Sequence, residues 1–287
     1  MKTGINIKEK YKRKMIRMKI NEADVEKFLT KFIQTELYKF NIKKAVFGLS
    51  GGLDSTVTAF LASRALGANN VTGLIMPYGD SFPKDIEEAE DVAHTLGIHS
   101  ETIDISPSVD AFYSRYPTKK RVLVGNKMAR ERMSILYDFS ARQNALILGT
   151  SNKTELLLGY GTIHGDMACA INPIGDLYKT QIRQLGRHLG VPANILTKAP
   201  TAGLWDGQTD EDDFGLSYDE IDKILLQLID KKKSRDELIS SGFAKKNVDK
   251  IINMIKNSEF KRRMPPIAKL SELTADSDTL YPYDQDK

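Results

Sequence analysis

The chain has 287 residues, of which 41% are hydrophobic and 28% charged, so it can bury a sizeable core without disulfides or metals. Its net charge of +4 comes mostly from residues 1–20, and the near-neutral body gives no reason to expect a nucleic-acid partner. The single cysteine, Cys169, excludes an internal disulfide framework and favours a reducing, cytoplasmic compartment. No apolar stretch is long enough to span a bilayer, so no membrane association is expected.

Residues 1–20 are predicted to form a basic, flexible tail. A solvated extension is the simplest interpretation, and a transit-like or nucleic-acid-binding arm is the alternative for the same charge pattern. Residues 21–287 are predicted to form a single domain, because no linker-like segment separates a second one.

Strand and helix patterns alternate along the chain after a first amphipathic helix over residues 21–40. Short apolar runs predict strands at residues 45–49, 71–76, 100–105 and 145–149. Helical periodicity, with glycine at several helix ends, predicts helices at residues 55–66, 83–96, 125–143 and 177–189. This order is typical of an α/β protein with a doubly wound, open parallel sheet and helices on both faces, as in Rossmann-like folds. A long Gly- and Asp-rich loop over residues 201–216 and a helical region over residues 218–257 follow.

The strongest local motif is Ser50-Gly51-Gly52-Leu53-Asp54-Ser55, which joins the first predicted strand to the next helix. Its glycines let the backbone turn sharply, and the successive N–H groups at a helix N-terminus make a positive cradle for phosphate. A carboxylate repels bare phosphate, so Asp54 fits this position if it holds Mg²⁺ beside the phosphates. The alternative is a tight turn in which Asp54 or Ser55 is the helix N-cap.

The loop matches neither the Gly-x-x-x-x-Gly-Lys-Ser/Thr pattern nor the Gly-x-Gly-x-x-Gly pattern. It resembles the PP-loop of the ATP pyrophosphatases, which cleave ATP between the α- and β-phosphates. That superfamily includes synthetases for GMP, asparagine, argininosuccinate and NAD, and several tRNA-modifying enzymes. The loop therefore predicts ATP binding without indicating which substrate is activated.

Three later segments narrow the choice. Residues 125–133 place basic side chains at the predicted start of a long helix, where the macrodipole disfavours cations unless they serve an anion site; a solvated basic face is the alternative. Residues 149–155 follow the fourth strand, at the expected reversal of strand order, so that Thr150 and Glu155 face a ligand there; an ordinary turn capped by Ser151 or Asn152 is the alternative. Residues 159–181 begin as a Gly-rich, lid-like loop and end near Lys179, which would reach phosphate.

Together these segments resemble the NAD synthetases over residues 21–266. The resemblance implies a sheet of the adenine nucleotide alpha hydrolase type, a Mg²⁺ site formed by Asp54 and Glu155, and contacts of Arg130 and Lys261 with a deamido-NAD substrate. The ATP-binding residues that it implies are Gly48, Leu49, Ser50, Gly51, Gly52, Leu53, Asp54, Ser55, Thr150, Lys179 and Thr201.

Three positions that contact the dinucleotide in the family carry unusual residues in this chain. Ile163 stands where many members have Lys, Ala170 where they have Asp, and Phe260 where they have His. The ATP and Mg²⁺ positions are intact. The sequence therefore predicts the same adenylation chemistry with a different lining of the dinucleotide pocket.

The implied reaction uses ATP as co-substrate, Mg²⁺ as cofactor, and deamido-NAD and ammonia as the other substrates. The nicotinate carboxylate is adenylated, and ammonia then displaces AMP. Asp54 and Lys179 are assigned to the first step, which needs positioning and charge neutralisation. Asp166, in the predicted lid-like loop, is our hypothesis for the base that takes a proton from ammonium.

Cys169 lies within the synthetase segment, and no length remains for an amidase domain, so free ammonia or ammonia from a partner is predicted. The family resemblance also implies a homodimer, for which Tyr38 on the first helix is a candidate interface residue; core packing explains that helix equally well. Two alternatives remain at this point. One is another PP-loop enzyme, such as a tRNA-modifying enzyme, and the other is a nucleotide-binding module without turnover.

Overall fold

The computed structural model describes residues 18–79, 83–201, 207 and 209–270. Its centre is one open sheet of four parallel strands. The strands are β1 (Lys44–Gly48), β2 (Val71–Ile75), β3 (His99–Thr102) and β4 (Ala145–Ile147). Their order across the sheet is β3-β2-β1-β4. The predicted fold class is therefore confirmed.

Helices surround the sheet and extend beyond it towards the C-terminus. The first seven are α1 (Glu22–Lys39), α2 (Leu53–Leu66), α3 (Pro83–Leu96), α4 (Ser106–Arg115), α5 (Arg121–Gln143), α6 (Lys153–Leu158) and α7 (Lys179–Leu189). The remaining ones are α8 (Ala193–Thr197), α9 (Asp210–Phe214), α10 (Tyr218–Leu225), α11 (Arg235–Ser240) and α12 (Lys245–Asn257).

The strand order reverses beside β1, as the sequence predicts. Ala45 pairs with Val71 of β2 on one side and with Leu146 of β4 on the other. The chain leaves β1 towards β2, and later crosses back to β4 on the opposite side. A crevice therefore opens beyond the carboxyl end of β1, which is where open α/β sheets bind their ligands.

Each face of the sheet is buried under its own hydrophobic layer, because alternate strand residues point to opposite sides. Phe47 packs into the layer formed with α1, α2, α3 and α7. Val46 packs into the layer formed with α4 and α5. A third cluster around Tyr178, Phe214 and Tyr218 holds the C-terminal helices together and borders the carboxyl edge of the sheet.

The largest difference from the sequence prediction lies in the long helix. Helix α5 begins at Arg121, four residues before the predicted start at position 125. Lys127 and Arg130 therefore lie in its second and third turns, where the dipole of the first turn has little effect. The prediction that the basic segment occupies the helix N-terminus is wrong, so any anion-binding role depends on where each side chain points.

Four helices were not predicted, namely α4, α6, α8 and α9. Helix α4 follows β3 directly, and short helix α9 lies inside the predicted loop over residues 201–216, where Thr209 caps it by accepting a hydrogen bond from the Asp212 N–H. Residues 1–17 of the predicted tail lie outside the described residues. Ile20, within the predicted tail, is buried in the main core. In the described part of the chain, no helix is both long and apolar enough to cross a membrane.

Candidate active site

The loop between β1 and α2 is tied together by its own hydroxyl groups. The Ser50 N–H donates to the Ser55 Oγ at 3.3 Å, and that hydroxyl donates to the Gly52 carbonyl at 3.0 Å. Gly52 is the N-cap of α2 and has no side-chain cap hydrogen bond. Neither Asp54 nor Ser55 is therefore the N-cap, which removes the interpretation of the motif as an ordinary capped turn.

Gly51 is required by the path of this loop. Its φ of +72° lies in the left-handed region, and a Cβ atom there would lie 2.3 Å from the Asp85 backbone oxygen. Gly67, at the end of α2, has a φ of +80°, but a Cβ atom there would have no atom of the described residues within 4 Å. An alanine at position 67 would therefore test the backbone conformation alone. An alanine at position 51 would test the same conformation together with a steric clash.

We expect Gly67→Ala to lower the free energy of unfolding by about 1–3 kcal/mol, the usual cost of an unfavourable φ, and to leave ATP affinity unchanged. Gly51→Ala has the same backbone cost and must also displace Asp85, so we expect ATP affinity to fall about tenfold or more. Urea unfolding and calorimetric ATP titration of both variants test this. Equal ATP affinities in the two variants would contradict the assigned role of the loop.

Lys179 lies between the two carboxylates that the sequence assigns to Mg²⁺. Its Nζ is 2.5 Å from the Asp54 Oδ2 and 3.2 Å from the Glu155 Oε1. Asn152 caps α6 by accepting from the Glu155 N–H, and its own side-chain amide donates to the Asp54 Oδ1 at 2.9 Å. The predicted helix cap and the predicted ligand site thus share the same residues.

A buried scaffold holds Lys179 in this place. It is the first residue of α7, and its backbone N–H donates to the Thr154 Oγ1 at 3.1 Å. The Thr154 hydroxyl donates in turn to Asp222 at 2.6 Å. Lys179 is only 4% exposed, so its ammonium group depends on the neighbouring carboxylates for charge compensation.

The charge of this cluster depends on whether Glu155 is protonated. Burial raises the pKa of Glu155 to about 8, with Lys179 opposing the rise and the Asp54 carboxylate adding to it. Burial alone would lower the pKa of Lys179, but Asp54 and Glu155 outweigh it and raise that pKa. Glu155 is therefore largely protonated at neutral pH in the free protein, where Asp54 balances Lys179, and the arrival of further positive charge favours its ionised form.

Asp210 is a fourth charged member of this region that the sequence analysis did not identify. It is buried, its Oδ2 accepts a hydrogen bond from the Tyr218 hydroxyl at 2.8 Å, and burial raises its pKa. The Tyr218 ring lies 5.3 Å from the Lys179 Nζ. Asp210 is the first of four consecutive acidic residues, so the sequence alone did not distinguish it from its three less buried neighbours.

These groups face a cavity of about 650 Å³ at the carboxyl edge of the sheet, which is within the usual range for small-molecule sites. Most of the predicted ATP-binding residues line it. Those residues are Gly48, Leu49, Ser50, Gly52, Leu53, Asp54, Ser55, Thr150, Lys179 and Thr201. Glu155, Asp166 and Lys261 line the same cavity. The structure therefore brings together residues that are up to 213 positions apart in the chain, from Gly48 to Lys261.

The Gly-rich loop closes one side of the cavity. The Asp166 carboxylate accepts from the Thr162 N–H at 2.8 Å, and the protein around it raises its pKa by desolvation, although the residue as a whole is exposed to solvent. The Lys261 Nζ donates to the carbonyl oxygens of Gly159 and Gly161, each at 2.8 Å. Lys261 therefore fixes the shape of the loop that carries Asp166.

The remaining predicted contacts with the dinucleotide lie outside the lining of this cavity. Arg130 is exposed, and its Nε donates to the Ile163 carbonyl at 3.2 Å. Ala170 is exposed, and Phe260 is 61% exposed. We call Arg130, Ile163, Ala170 and Phe260 the rim residues, because outside the lining they can contact only a part of a ligand that extends out of the cavity.

The donor set at Asp54 and Glu155 fits Mg²⁺ in one particular way. In the described part of the chain, no group of three or more His, Cys, Asp or Glu side chains is arranged to hold a metal. Two carboxylates beside a phosphate-binding loop suit Mg²⁺, because this ion commonly keeps several waters and takes its other oxygens from substrate phosphates. The residues present therefore fit a metal that arrives with ATP.

The parallel sheet, the loop at the end of β1, and the lysine and carboxylates around it define a nucleotide-dependent enzyme of the α/β class. The model of the NAD synthase family matches residues 25–265, and the chain belongs to this family. The resemblance predicted from the motifs is confirmed.

Named relatives agree with this assignment. The NH(3)-dependent NAD(+) synthetase of Trichlorobacter lovleyi is 48% identical over 273 residues, which is 95% of this chain and all of that protein. The solved NH3-dependent NAD synthetase of Campylobacter jejuni is 35% identical, with a TM-score of 0.76 over 88% of this chain and all of that one. The NMN synthetase of Francisella tularensis is 34% identical, with a TM-score of 0.79 and the same coverage. The predicted class, a ligase that forms a C–N bond, is confirmed.

Proposed function

We propose that this cavity converts deamido-NAD to NAD, with ammonia as the nitrogen donor and with ATP cleaved to AMP and pyrophosphate. The observation that carries the proposal is the cluster of Asp54, Lys179 and Glu155, buried beside the loop over residues 50–55. Cleavage at the α-phosphate needs positive charge beside the departing pyrophosphate. Lys179 supplies such a charge in this cluster, and the two carboxylates can bind a cation.

In the first step, a nicotinate carboxylate oxygen attacks the α-phosphorus, and the bond from that phosphorus to the bridging oxygen of pyrophosphate breaks. Pyrophosphate leaves with the electron pair. The backbone N–H groups of the loop hold the phosphates, and Lys179 moves from the carboxylates to the phosphate oxygens. Asp54 and Glu155 are the residues that would hold Mg²⁺, which would neutralise phosphate charge when bound.

In the second step, ammonia adds to the carbonyl carbon of the acyl-adenylate, and the bond from that carbon to the phosphate oxygen breaks as AMP leaves. Ammonium must lose a proton before its nitrogen can attack. Asp166 lines the cavity and carries a raised pKa, which suits it to accept that proton.

The other parts of the proposal concern the assembly. We expect a cytoplasmic homodimer in which rim residues such as Arg130 and Phe260 contact the outer half of the dinucleotide. Ammonia arrives free or from a partner amidase, as the sequence analysis predicts. A tRNA-modifying enzyme and a module without turnover lose their support once the family is assigned.

A second candidate substrate follows from the NMN synthetase of Francisella tularensis. Its name indicates a mononucleotide product, and an enzyme of the same fold that makes a mononucleotide needs no contacts at the rim. Nicotinate mononucleotide is therefore the comparison substrate for this chain.

The test is incubation of the protein with ATP, Mg²⁺, ammonium and either deamido-NAD or nicotinate mononucleotide, with quantification of AMP, pyrophosphate and the amide product. We expect equal amounts of AMP and NAD, with deamido-NAD preferred. Preference for the mononucleotide would replace the proposed substrate. AMP formation without either amide would overturn the proposed function.

A further inference from the structure

Helix α5 carries two arginines, Arg130 and Arg132, that the structure directs to different places. Residues two apart on a helix do not share a face. Arg130 is exposed at the rim, whereas Arg132 is half-buried and lines the cavity. Arg132 takes no part in the two reaction steps proposed above.

The guanidinium group of Arg132 is anchored at one nitrogen only. Its Nε donates to the backbone carbonyl of Met76 at 2.8 Å, just beyond the carboxyl end of β2. Its terminal nitrogens make no hydrogen bond with another described residue, and no carboxylate of the described chain lies within 4.0 Å of them. The anchor therefore fixes the group in orientation and leaves two donors for a ligand.

Burial makes the charged guanidinium group of Arg132 unfavourable unless an anion lies beside it. The cavity wall surrounds the guanidinium group, and the resulting loss of solvation lowers the pKa of Arg132 to about 10, partly offset by the charge of Asp166. The group is therefore charged at neutral pH and poorly solvated. A protonated donor pair of this kind is stabilised when an anion enters the cavity.

The surroundings of Arg132 favour a carboxylate over the triphosphate as its ligand. The triphosphate already has the loop over residues 50–55 and Lys179. Asp166 places a negative charge near Arg132, which a polyanion tolerates less well than a monoanion. The planar fork of a guanidinium group matches the two oxygens of a carboxylate.

We propose that Arg132 binds the carboxylate of the nicotinate group and aims one of its oxygens at the α-phosphorus, an inference that rests on the function proposed above. One carboxylate oxygen forms the bond to phosphorus, and the other stays against the guanidinium group as the carbonyl oxygen of the acyl-adenylate. When ammonia adds, that oxygen becomes an oxyanion facing the same cation. It returns to a carbonyl as AMP leaves and the nitrogen gives up its proton.

The test uses Arg132→Gln and Arg132→Lys, with Arg142→Gln as the matched control on the same helix. Arg142 is exposed and pairs only with Asp138 in the described chain. The wild-type protein must first form NAD from deamido-NAD; if it does not, the proposed function fails before Arg132 is tested. The measurements are deamido-NAD-dependent exchange of labelled pyrophosphate into ATP, KM for deamido-NAD, and ATP affinity without deamido-NAD.

We expect Arg132→Gln to lower the exchange rate about 100-fold or more and to raise KM for deamido-NAD, with ATP affinity within about twofold of wild type. Arg132→Lys keeps the charge without the fork and is expected to lie between the two. Millimolar guanidinium ion is expected to restore part of the exchange activity of Arg132→Gln. Arg142→Gln is expected to match wild type.

Two results would overturn the inference. The first is an unchanged kcat/KM for deamido-NAD in Arg132→Gln. The second is a loss of ATP affinity equal to the loss of exchange, because this would show that Arg132 only supports the end of β2 through Met76. Thermal unfolding of each variant accompanies these measurements and identifies a general loss of the fold.

Discussion

Replacement of Lys179 by methionine is expected to abolish ATP cleavage and, without metal, to lower the free energy of unfolding by about 3–5 kcal/mol. The stability loss has a simple origin. Lys179 is 4% exposed and contacts both Asp54 and Glu155, so its removal leaves the Asp54 carboxylate without its counter-ion and Glu155 without its hydrogen-bond partner. Activity is lost because Lys179 is the lysine that holds the phosphates in the proposed first step.

The stability of Lys179→Met is also expected to depend on Mg²⁺. Added Mg²⁺ is expected to restore part of the stability of Lys179→Met, because the ion supplies the positive charge that Asp54 and Glu155 then lack. Lys198→Met is the control for stability: Lys198 also bridges two carboxylates, Asp85 and Glu88, but its side chain is 23% exposed. Its loss is expected to cost about 1 kcal/mol, without recovery in Mg²⁺.

Urea unfolding of both variants, with and without Mg²⁺, checks these values. A metal-free Lys179→Met protein as stable as wild type would show that the carboxylates are neutral without the lysine. In that case the assignment of Lys179 as the counter-ion of the metal-binding carboxylates fails.

The sequence was sufficient where function depends on local chain geometry. A strand that enters a Gly-Gly turn and then a helix predicts the phosphate loop, and the alternation of elements predicts the reversal of strand order beside β1. From these two inferences, Asp54 and Glu155 were expected at one site, and the structure brings both within reach of the same lysine. Backbone topology was enough for this, because both residues follow the carboxyl ends of neighbouring strands.

Side-chain direction was not predictable in the same way. Whether Arg130 or Arg132 enters the cavity depends on the phase of α5 and on the partner at Met76, neither of which the sequence specifies. Helix α4 was missed although Val109, Phe112 and Tyr113 follow helical spacing, because the pattern is short and only Val109 is buried. Lys179 was predicted to contact phosphate, but in the protein without a ligand it contacts Asp54 and Glu155. A buried ammonium group needs a hydrogen-bonded partner before a ligand arrives.

Replacement of Asp166 by asparagine is expected to separate the two steps of the reaction. Asparagine has nearly the same shape and can still accept from the Thr162 N–H, so the Gly-rich loop keeps its conformation. Deamido-NAD-dependent pyrophosphate exchange therefore continues near the wild-type rate. Ammonia-dependent formation of NAD is expected to fall about 100- to 10,000-fold, because asparagine cannot take the proton.

The pH dependence gives a second measurement on the same variant. A base must be ionised to act, and desolvation raises the pKa of Asp166 above its usual value of 3.8. The acid limb of wild-type turnover therefore lies above that value, and turnover falls as pH decreases through the raised pKa. This limb is expected to be absent in Asp166→Asn.

Hydroxylamine separates proton removal from other causes of the loss. It is largely unprotonated at neutral pH and needs no base before it attacks, so Asp166→Asn is expected to form the hydroxamate far better than the amide. Asp176→Asn is the control, since Asp176 is 81% exposed in its side chain and pairs with Lys153 away from the cavity lining. If hydroxylamine and ammonia lost activity equally in Asp166→Asn, the carboxylate would be positioning the acyl-adenylate and another group would be the base.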